Sequence, residues 1–140
     1  MSLPGGGRRA ARERALGLLY EAATKAQPVA SVLDALPVPA DAFAVDLVTG
    51  VETNRDELDA LITRFARDWR LERMPLIDLT VLRMAAFELV HRPDVPTAAA
   101  IAEAVALAKR FSTDNSGRFV NGVLASIAEV ARPAAPVEGG

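Results

Sequence analysis

Three features of this 140-residue sequence predict an all-α fold. Alanine is abundant and β-branched residues are few, which favours helix. No segment of strand length alternates apolar and polar residues with a period of two. Prolines and glycines instead separate blocks in which apolar residues recur at helical spacing. We therefore predict about seven helices in one domain over 8–132, with a flexible lead at 1–7 and a flexible tail at 133–140.

Proline and capping residues set the boundaries of the first four predicted helices. Pro28 stops the first helix, and the sequence Pro37-Val38-Pro39 stops a short second one. Asp41 can cap the third helix, while Asn54 and Glu57 form a capping-box pattern at the start of the fourth.

The fifth helix begins at Pro75, ends before Pro93 and is apolar nearly all round, so it should be central and buried. Thr97 can cap the sixth helix, and the polar cluster 112–115 can cap the seventh. Gly122 within the seventh helix is interpreted as a close packing contact. The predicted helices are 8–26, 29–36, 41–53, 54–69, 75–92, 97–111 and a last one from the 112–115 cluster to 131.

Composition excludes several classes of site. The chain has no Cys and one His, so a disulfide, a thiolate nucleophile and a Cys or multi-His zinc site are excluded. We predict no catalytic residue, no metal site and no cofactor. No apolar run of membrane-spanning length and no signal peptide is evident, so we expect a cytoplasmic protein without membrane contact.

Charge is unevenly distributed although the net charge is only −2. Residues 8–14 carry four arginines and one glutamate, a local charge of +3 that leaves −5 for the rest of the chain. A helical wheel places Arg8, Arg9 and Arg12 on one face beside the apolar stripe, and Tyr20 on the same edge as Arg9. This face could bind phosphates and stack a base, or it could be a solvated helix end.

A second basic and aromatic stretch occupies 109–119. Asn115 and Phe119 are i,i+4 neighbours on the seventh helix, so an amide and a ring can lie side by side. The alternative is that the polar residues are ordinary caps and Phe119 belongs to the core. On the fifth helix, Thr80, Arg83, Phe87 and His91 form a mixed stripe that could meet a partner or be covered by another part of the fold.

Six segments, taken in order, resemble the NusB family of transcription antitermination factors. The strongest block runs from Ile101 to Phe111 and is followed by a second from Ser116 to Leu124. The segments that carry the resemblance are 8–20, 51–54, 81–89, 94–96, 101–111 and 116–124.

The resemblance implies two packed three-helix bundles with an extra short helix. It also implies binding of single-stranded box A RNA together with NusE, a small-subunit ribosomal protein, in an antitermination complex on RNA polymerase that promotes ribosomal RNA synthesis. Asp78 is the candidate contact with NusE, joined by Arg83 from the mixed stripe. The expected RNA-binding residues are Arg8, Arg9 and Arg12 in the arginine-rich motif, Tyr20 after it, and Asn115, Arg118 and Phe119 in a second patch.

Two other functions stay open at this point. The first is a helical interaction scaffold, monomeric or homodimeric, with its arginine face buried against a protein. The second is an RNA-modifying enzyme, because NusB-like domains also occur joined to ribosomal RNA cytosine methyltransferases. This sequence has no glycine-rich nucleotide loop following a strand and no Cys, which disfavours the enzyme.

Overall fold

The structure, a computed structural model, describes residues 6–133 and confirms the all-α prediction. The expected lead and tail fall largely on residues 1–5 and 134–140, which lie outside the described residues. The first helix begins two residues earlier than predicted. A short 3-10 helix over Leu71–Arg73 precedes the fifth helix. The α-helices are α1 (Gly6–Thr24), α2 (Val29–Asp34), α3 (Ala42–Thr53), α4 (Arg55–Phe65), α5 (Leu76–His91), α6 (Thr97–Phe111) and α7 (Asp114–Ala131).

Helix α5 lies at the centre of the fold, as its all-round apolar sequence predicts. Helices α1, α2 and α3 pack together, α4, α6 and α7 pack together, and α5 contacts five of these six helices. Eleven of the 16 residues of α5 are buried. Small residues permit the close approach of α3, since a Cβ built on Gly50 would lie 2.3 Å from Cε1 of Phe87 on α5.

Two of the predicted caps are confirmed and two are wrong. The Asp41 carboxylate accepts a hydrogen bond from Phe43 N at 2.8 Å, and the Thr113 hydroxyl accepts one from Ser116 N at 3.0 Å. Asn54 instead donates to the Gly50 carbonyl at 2.8 Å, because it ends α3 as well as preceding α4, so the capping box with Glu57 does not form. Thr97 is the first residue of α6 and provides no cap.

Helix α4 ends at Phe65, four residues before the predicted end at Trp69. Ala66 departs from helical geometry with φ −93° and ψ 67°, and the chain then runs irregularly to the 3-10 helix. This early end places Arg67 and Trp69 in the connection between α4 and α5, where Trp69 is 49% exposed.

Arg132, just beyond α7, binds the turn between α5 and α6. Its guanidinium donates to the carbonyl oxygens of Glu88 at 3.1 Å, Leu89 at 3.0 Å and Arg92 at 2.6 Å, and also to that of Val95. The last carbonyls of a helix have no partner within the helix, so this side chain satisfies the end of α5. The fold thereby holds the start of α6 beside α5 and α7.

Candidate nucleic-acid interface

The arginines of α1 do not share one exposed face. Arg8 and Arg9 are accessible, but Arg12 is only 5% exposed and pairs with Glu88 of α5, which is 1% exposed. The Arg12 guanidinium donates from Nε to Oε2 at 3.0 Å and from Nη2 to Oε1 at 2.7 Å. The expectation that Arg12 lies on the surface is therefore wrong. On the wheel it borders the apolar stripe, and in the fold that border is covered by α5.

Arg8 belongs to a cluster of charges around an aromatic ring. Its Nη2 lies 3.0 Å from Oδ2 of Asp94, and its guanidinium lies 4.8 Å from the centre of the Phe43 ring. The Arg92 guanidinium lies 4.9 Å from the centre of the same ring and also binds Asp94, at 2.9 Å. Hydrogen bonds from Arg92 and, less strongly, from Arg8 hold the pKa of Asp94 well below its ordinary value. Arg8 is thus half-exposed but already neutralised.

Arg9 is the most accessible of the three, with 72% of its side chain exposed. It forms a two-pronged ion pair with Glu103 of α6, at 3.1 Å from Nε to Oε2 and 2.9 Å from Nη2 to Oε1. Arg110 of α6 pairs with Glu13 of α1 at 2.9 Å. Both pairs cross the seam between α1 and α6. Ion pairs at a protein surface contribute little to stability, so a phosphate can displace the carboxylates at small cost.

Tyr20 opens onto the same seam beside an aromatic residue that sequence reasoning missed. Tyr20 is 41% exposed and Phe111, at the end of α6, is 42% exposed. Together with Leu16, Gly17 and Ile77 they line a cleft of about 300 Å³. The two solvent-facing rings provide planes on which unstacked bases can lie.

The predicted patch on α7 is brought together by the fold. Asn115 and Phe119 line a cavity of about 380 Å³ with Thr113, Asp78 and Trp69. The Trp69 and Phe119 ring centres are 6.0 Å apart at an angle of 52°, a tilted aromatic contact. Arg118 is exposed on the far side of this contact. Phe119 is half-buried, so its position agrees in part with a core residue and in part with a ring that faces RNA.

The four partly exposed rings follow one another across the surface. Ile77 lines the Tyr20 cleft and its neighbour Asp78 lines the Asn115 cavity. The turn from α6 to α7 likewise connects Phe111, which lines the Tyr20 cleft, to Thr113, which lines the Asn115 cavity. We call Tyr20, Phe111 and Phe119 the aromatic track, and Trp69 lies beside its last member, in contact with Phe119.

Asp78 differs from what is expected of a partner contact. It is 4% exposed, and its Oδ2 accepts a hydrogen bond from the Ser116 hydroxyl at 2.8 Å. Its Oδ1 is buried without a hydrogen-bond partner among the residues that the structure describes. The start of α7 covers Asp78 at the start of α5, and a contact between Asp78 and NusE stays a prediction.

Arg83 is also engaged within the chain. Its Nε and Nη2 donate to the Asp59 carboxylate of α4 at 2.7 and 2.9 Å. Further along the mixed stripe, Nε2 of His91 lies 2.5 Å from Oε1 of Glu57. The fold covers Thr80 and Phe87, whereas His91 is exposed, so a partner contact along this stripe stays a prediction. Gly122 does not behave as predicted either, since it is exposed and a Cβ there would have no neighbour within 4 Å.

Within the described range 6–133, no cluster of three His, Asp or Glu side chains could hold a metal ion. In the same range no helix has the length and apolar character needed to cross a membrane. The arrangement offers exposed aromatic rings, amide and hydroxyl groups, and guanidinium groups in exchangeable ion pairs. These are the groups with which proteins bind single-stranded nucleic acid.

Comparison with known proteins identifies the family. The NusB family model matches residues 9–129. The chain belongs to the NusB family. A transcription antitermination protein NusB from Myxococcus xanthus is 45% identical to it, with 88% of this chain and 95% of that protein covered. The family resemblance of the sequence is thereby confirmed.

Solved structures agree on the fold. A T. maritima NusB structure superposes with a TM-score of 0.82 at 33% identity, covering 95% of this chain and 96% of that one. A crystal structure of the antitermination factors NusB and NusE in complex with double-stranded RNA gives a TM-score of 0.77, covering 91% of this chain and 99% of that one. Its identity is 22%, so it supports the fold alone.

Proposed function

We propose that this protein is a transcription antitermination factor. It would bind single-stranded box A RNA together with NusE, in a complex on RNA polymerase that promotes ribosomal RNA synthesis. Membership of the NusB family supports the proposal, as does the name of the Myxococcus xanthus relative. The action is binding without catalysis, and a protein that acts on nascent bacterial transcripts works in the cytoplasm.

The observation that carries the proposal is the aromatic track. Single-stranded RNA is commonly held by rings that stack on unpaired bases while cations contact the phosphates between them. Tyr20 and Phe111 provide two such rings at the α1–α6 seam, and Phe119 provides a third on α7. Asn115 and Thr113 add groups that can bind base edges beside Phe119.

Phosphate contacts are assigned to Arg8, Arg9 and Arg118. Arg9 carries its charge on the edge next to Tyr20, and its bond to Glu103 keeps the guanidinium fork extended toward α6. RNA binding would exchange that carboxylate for a phosphate. Arg12 is a positioning residue in this proposal, since its bond to Glu88 fixes the part of α1 that carries Arg8 and Arg9.

NusE is proposed to extend the RNA-binding surface rather than to replace it. A few phosphate contacts give weak binding, so a partner that holds the same strand would tighten it through coupling between the two sites. Asp78 and Arg83 would contribute to the NusE side as positioning residues, because Asp78 orients Ser116 on α7 and Arg83 fixes α4. Their neighbours on the surface would make the contact.

The proposal is tested by titrating fluorescently labelled box A RNA with the protein, with and without NusE, at several salt concentrations. Tyr20→Ala should weaken binding by about 1–3 kcal/mol through loss of stacking. Arg9→Ala should reduce the slope of log affinity against log salt by roughly 0.7, the value for one phosphate contact on a single strand. Arg55→Ala, at an exposed i,i+3 ion pair with Glu52, is the matched control and should change neither quantity.

Two results would contradict the proposal. The first is an affinity for box A RNA that equals the affinity for an unrelated strand, both with and without NusE. The second is a stable homodimer, seen by light scattering, that is unaffected by RNA and in which Arg9 and Tyr20 are protected. That result would support the interaction scaffold with a buried arginine face.

A further inference from the structure

In the part of the chain that the structure describes, most arginines without a carboxylate partner lie away from the arginine-rich start of α1, where Arg14 is the exception. Among the described residues, Arg8, Arg9 and Arg12 are all ion-paired. In contrast, residues 64–73 contain four arginines against two acidic residues, and none of these arginines lies within ion-pair distance of a carboxylate in the described part of the chain. The same holds for Arg118. Residues 64–73 therefore carry a net charge of +2 around the end of α4, and none of their arginines is held in an ion pair within the described chain.

A cleft of about 360 Å³ lies at this position. Arg67, Asp68 and Trp69 line it from the α4–α5 connection, and Arg118 and Gly122 line it from α7. We call it the Trp69 cleft. Trp69 contacts Phe119 yet keeps about half of its surface exposed, and the Arg64 guanidinium lies 4.9 Å from the ring centre of Phe65, another lining residue. Cations, a carboxylate and exposed rings thus meet in one concave surface.

Gly122 gives an independent indication that this surface is kept open. A glycine inside a helix lowers helix stability relative to alanine, and it is usually explained by a close packing contact. At Gly122 there is no such contact, since a Cβ would meet nothing within 4 Å. The missing side chain instead enlarges the Trp69 cleft and exposes helix backbone to whatever occupies it.

We propose that the Trp69 cleft is a further subsite for the single-stranded RNA that occupies the aromatic track. One base stacks on Trp69, its flanking phosphates bind Arg67 and Arg118, and Asp68 accepts a hydrogen bond from an amino group of the base. The Trp69–Phe119 contact makes this subsite continuous with the α7 patch. The proposal rests on the proposed function and lengthens the strand that the protein contacts.

The single tryptophan provides a direct readout in the unmodified protein. Two unlabelled single strands are titrated, one with box A alone and one extended by several nucleotides at each end, while tryptophan emission is recorded. Stacking on Trp69 should quench the emission and reduce its quenching by acrylamide, and one of the extended ends should produce the larger change. Box A binding itself is followed in parallel by anisotropy of a labelled strand.

Substitutions then separate the subsite from the aromatic track. Trp69→Ala should weaken binding of the extended strand roughly tenfold, and Trp69→Phe should restore most of it. Arg67→Ala should lower the salt slope by roughly 0.7. Gly122→Leu should fill the cleft and weaken the extended strand selectively, whereas Ala125→Leu, at another exposed position of α7, should have no effect.

The outcomes distinguish failure of the subsite from failure of the proposed function. If anisotropy shows no binding of box A RNA, the proposed function and the subsite are both overturned. If it binds but tryptophan emission stays constant and Arg67→Ala and Gly122→Leu match wild type, the subsite alone is overturned. If these variants instead lose binding of an acidic protein partner while RNA binding is intact, the cleft is a protein contact and the subsite proposal is again overturned.

Discussion

Arg12 and Glu88 join α1 to α5 through two parallel hydrogen bonds, with both side chains almost completely buried. Removal of one partner leaves an uncompensated charge in the core, which costs about 3–5 kcal/mol. We therefore expect Arg12→Ala to lower the free energy of unfolding by about that amount in urea denaturation followed by circular dichroism. Box A affinity per folded molecule should fall only slightly, because Arg12 holds Arg8 and Arg9 in place without contacting RNA itself.

The double substitution Arg12→Met with Glu88→Leu is the control for this prediction. It removes both charges at similar volume, and such replacements are often neutral or stabilising. The double variant should therefore be considerably more stable than Arg12→Ala. If the double variant is as stable as wild type but loses RNA affinity, Arg12 contacts RNA.

This pair also shows where sequence reasoning ends. The helical period places Arg12 beside the apolar stripe of α1, but it carries no information about Glu88, which is 76 residues away. The same applies to Arg9, whose partner Glu103 is 94 residues away. Local periodicity therefore predicts the helices and the face on which a residue lies. Whether that face is covered depends on tertiary packing.

The aromatic track and Trp69 beside it are only partly predictable for the same reason. The sequence points to Tyr20 and Phe119, but not to Phe111 and Trp69. Phe111 ends a helix after two basic residues, and this pattern could have indicated a ring that faces RNA. Trp69 is predicted at the end of a helix that in the structure stops at Phe65, so its exposure follows from an irregular connection that has no periodicity to detect.

The Glu103 carboxylate competes with RNA for Arg9. Glu103→Gln should tighten box A binding about fivefold at low salt, since the carboxylate no longer competes with a phosphate for the Arg9 guanidinium. The gain should disappear at high salt because of screening. Glu52→Gln, which changes the net charge equally at the exposed pair with Arg55, is the control in the anisotropy titration. An equal gain in both variants would indicate a general charge effect.

Gly50 and Gly17 both lie inside helices, yet alanine should act on them in opposite directions. A Cβ at Gly50 would overlap the buried Phe87 ring, so Gly50→Ala should destabilise the fold by about 1–3 kcal/mol. A Cβ at Gly17 would meet no atom within 4 Å, so Gly17→Ala should stabilise the fold by about 0.5–1 kcal/mol through helix propensity. Thermal unfolding measures both. Phe87→Leu should rescue Gly50→Ala if the clash is the cause.

Asp94 should make stability depend on acidic pH. Its folded-state pKa is held low, first by the hydrogen bond from Arg92 and then by that from Arg8, while the unfolded value is about 3.9. In acid the unfolded chain therefore binds a proton at Asp94 that the folded chain does not, and stability falls as pH falls.

The stability difference between wild type and Asp94→Asn should be constant from about pH 7 to 5 and shrink below about pH 4. Urea midpoints across this range test it, with Asp34→Asn, at an exposed residue lacking an ion pair in the described region, as the control. A difference that stays constant down to about pH 2 would show that the Arg8–Asp94–Arg92 cluster does not hold α1 to the α5–α6 turn.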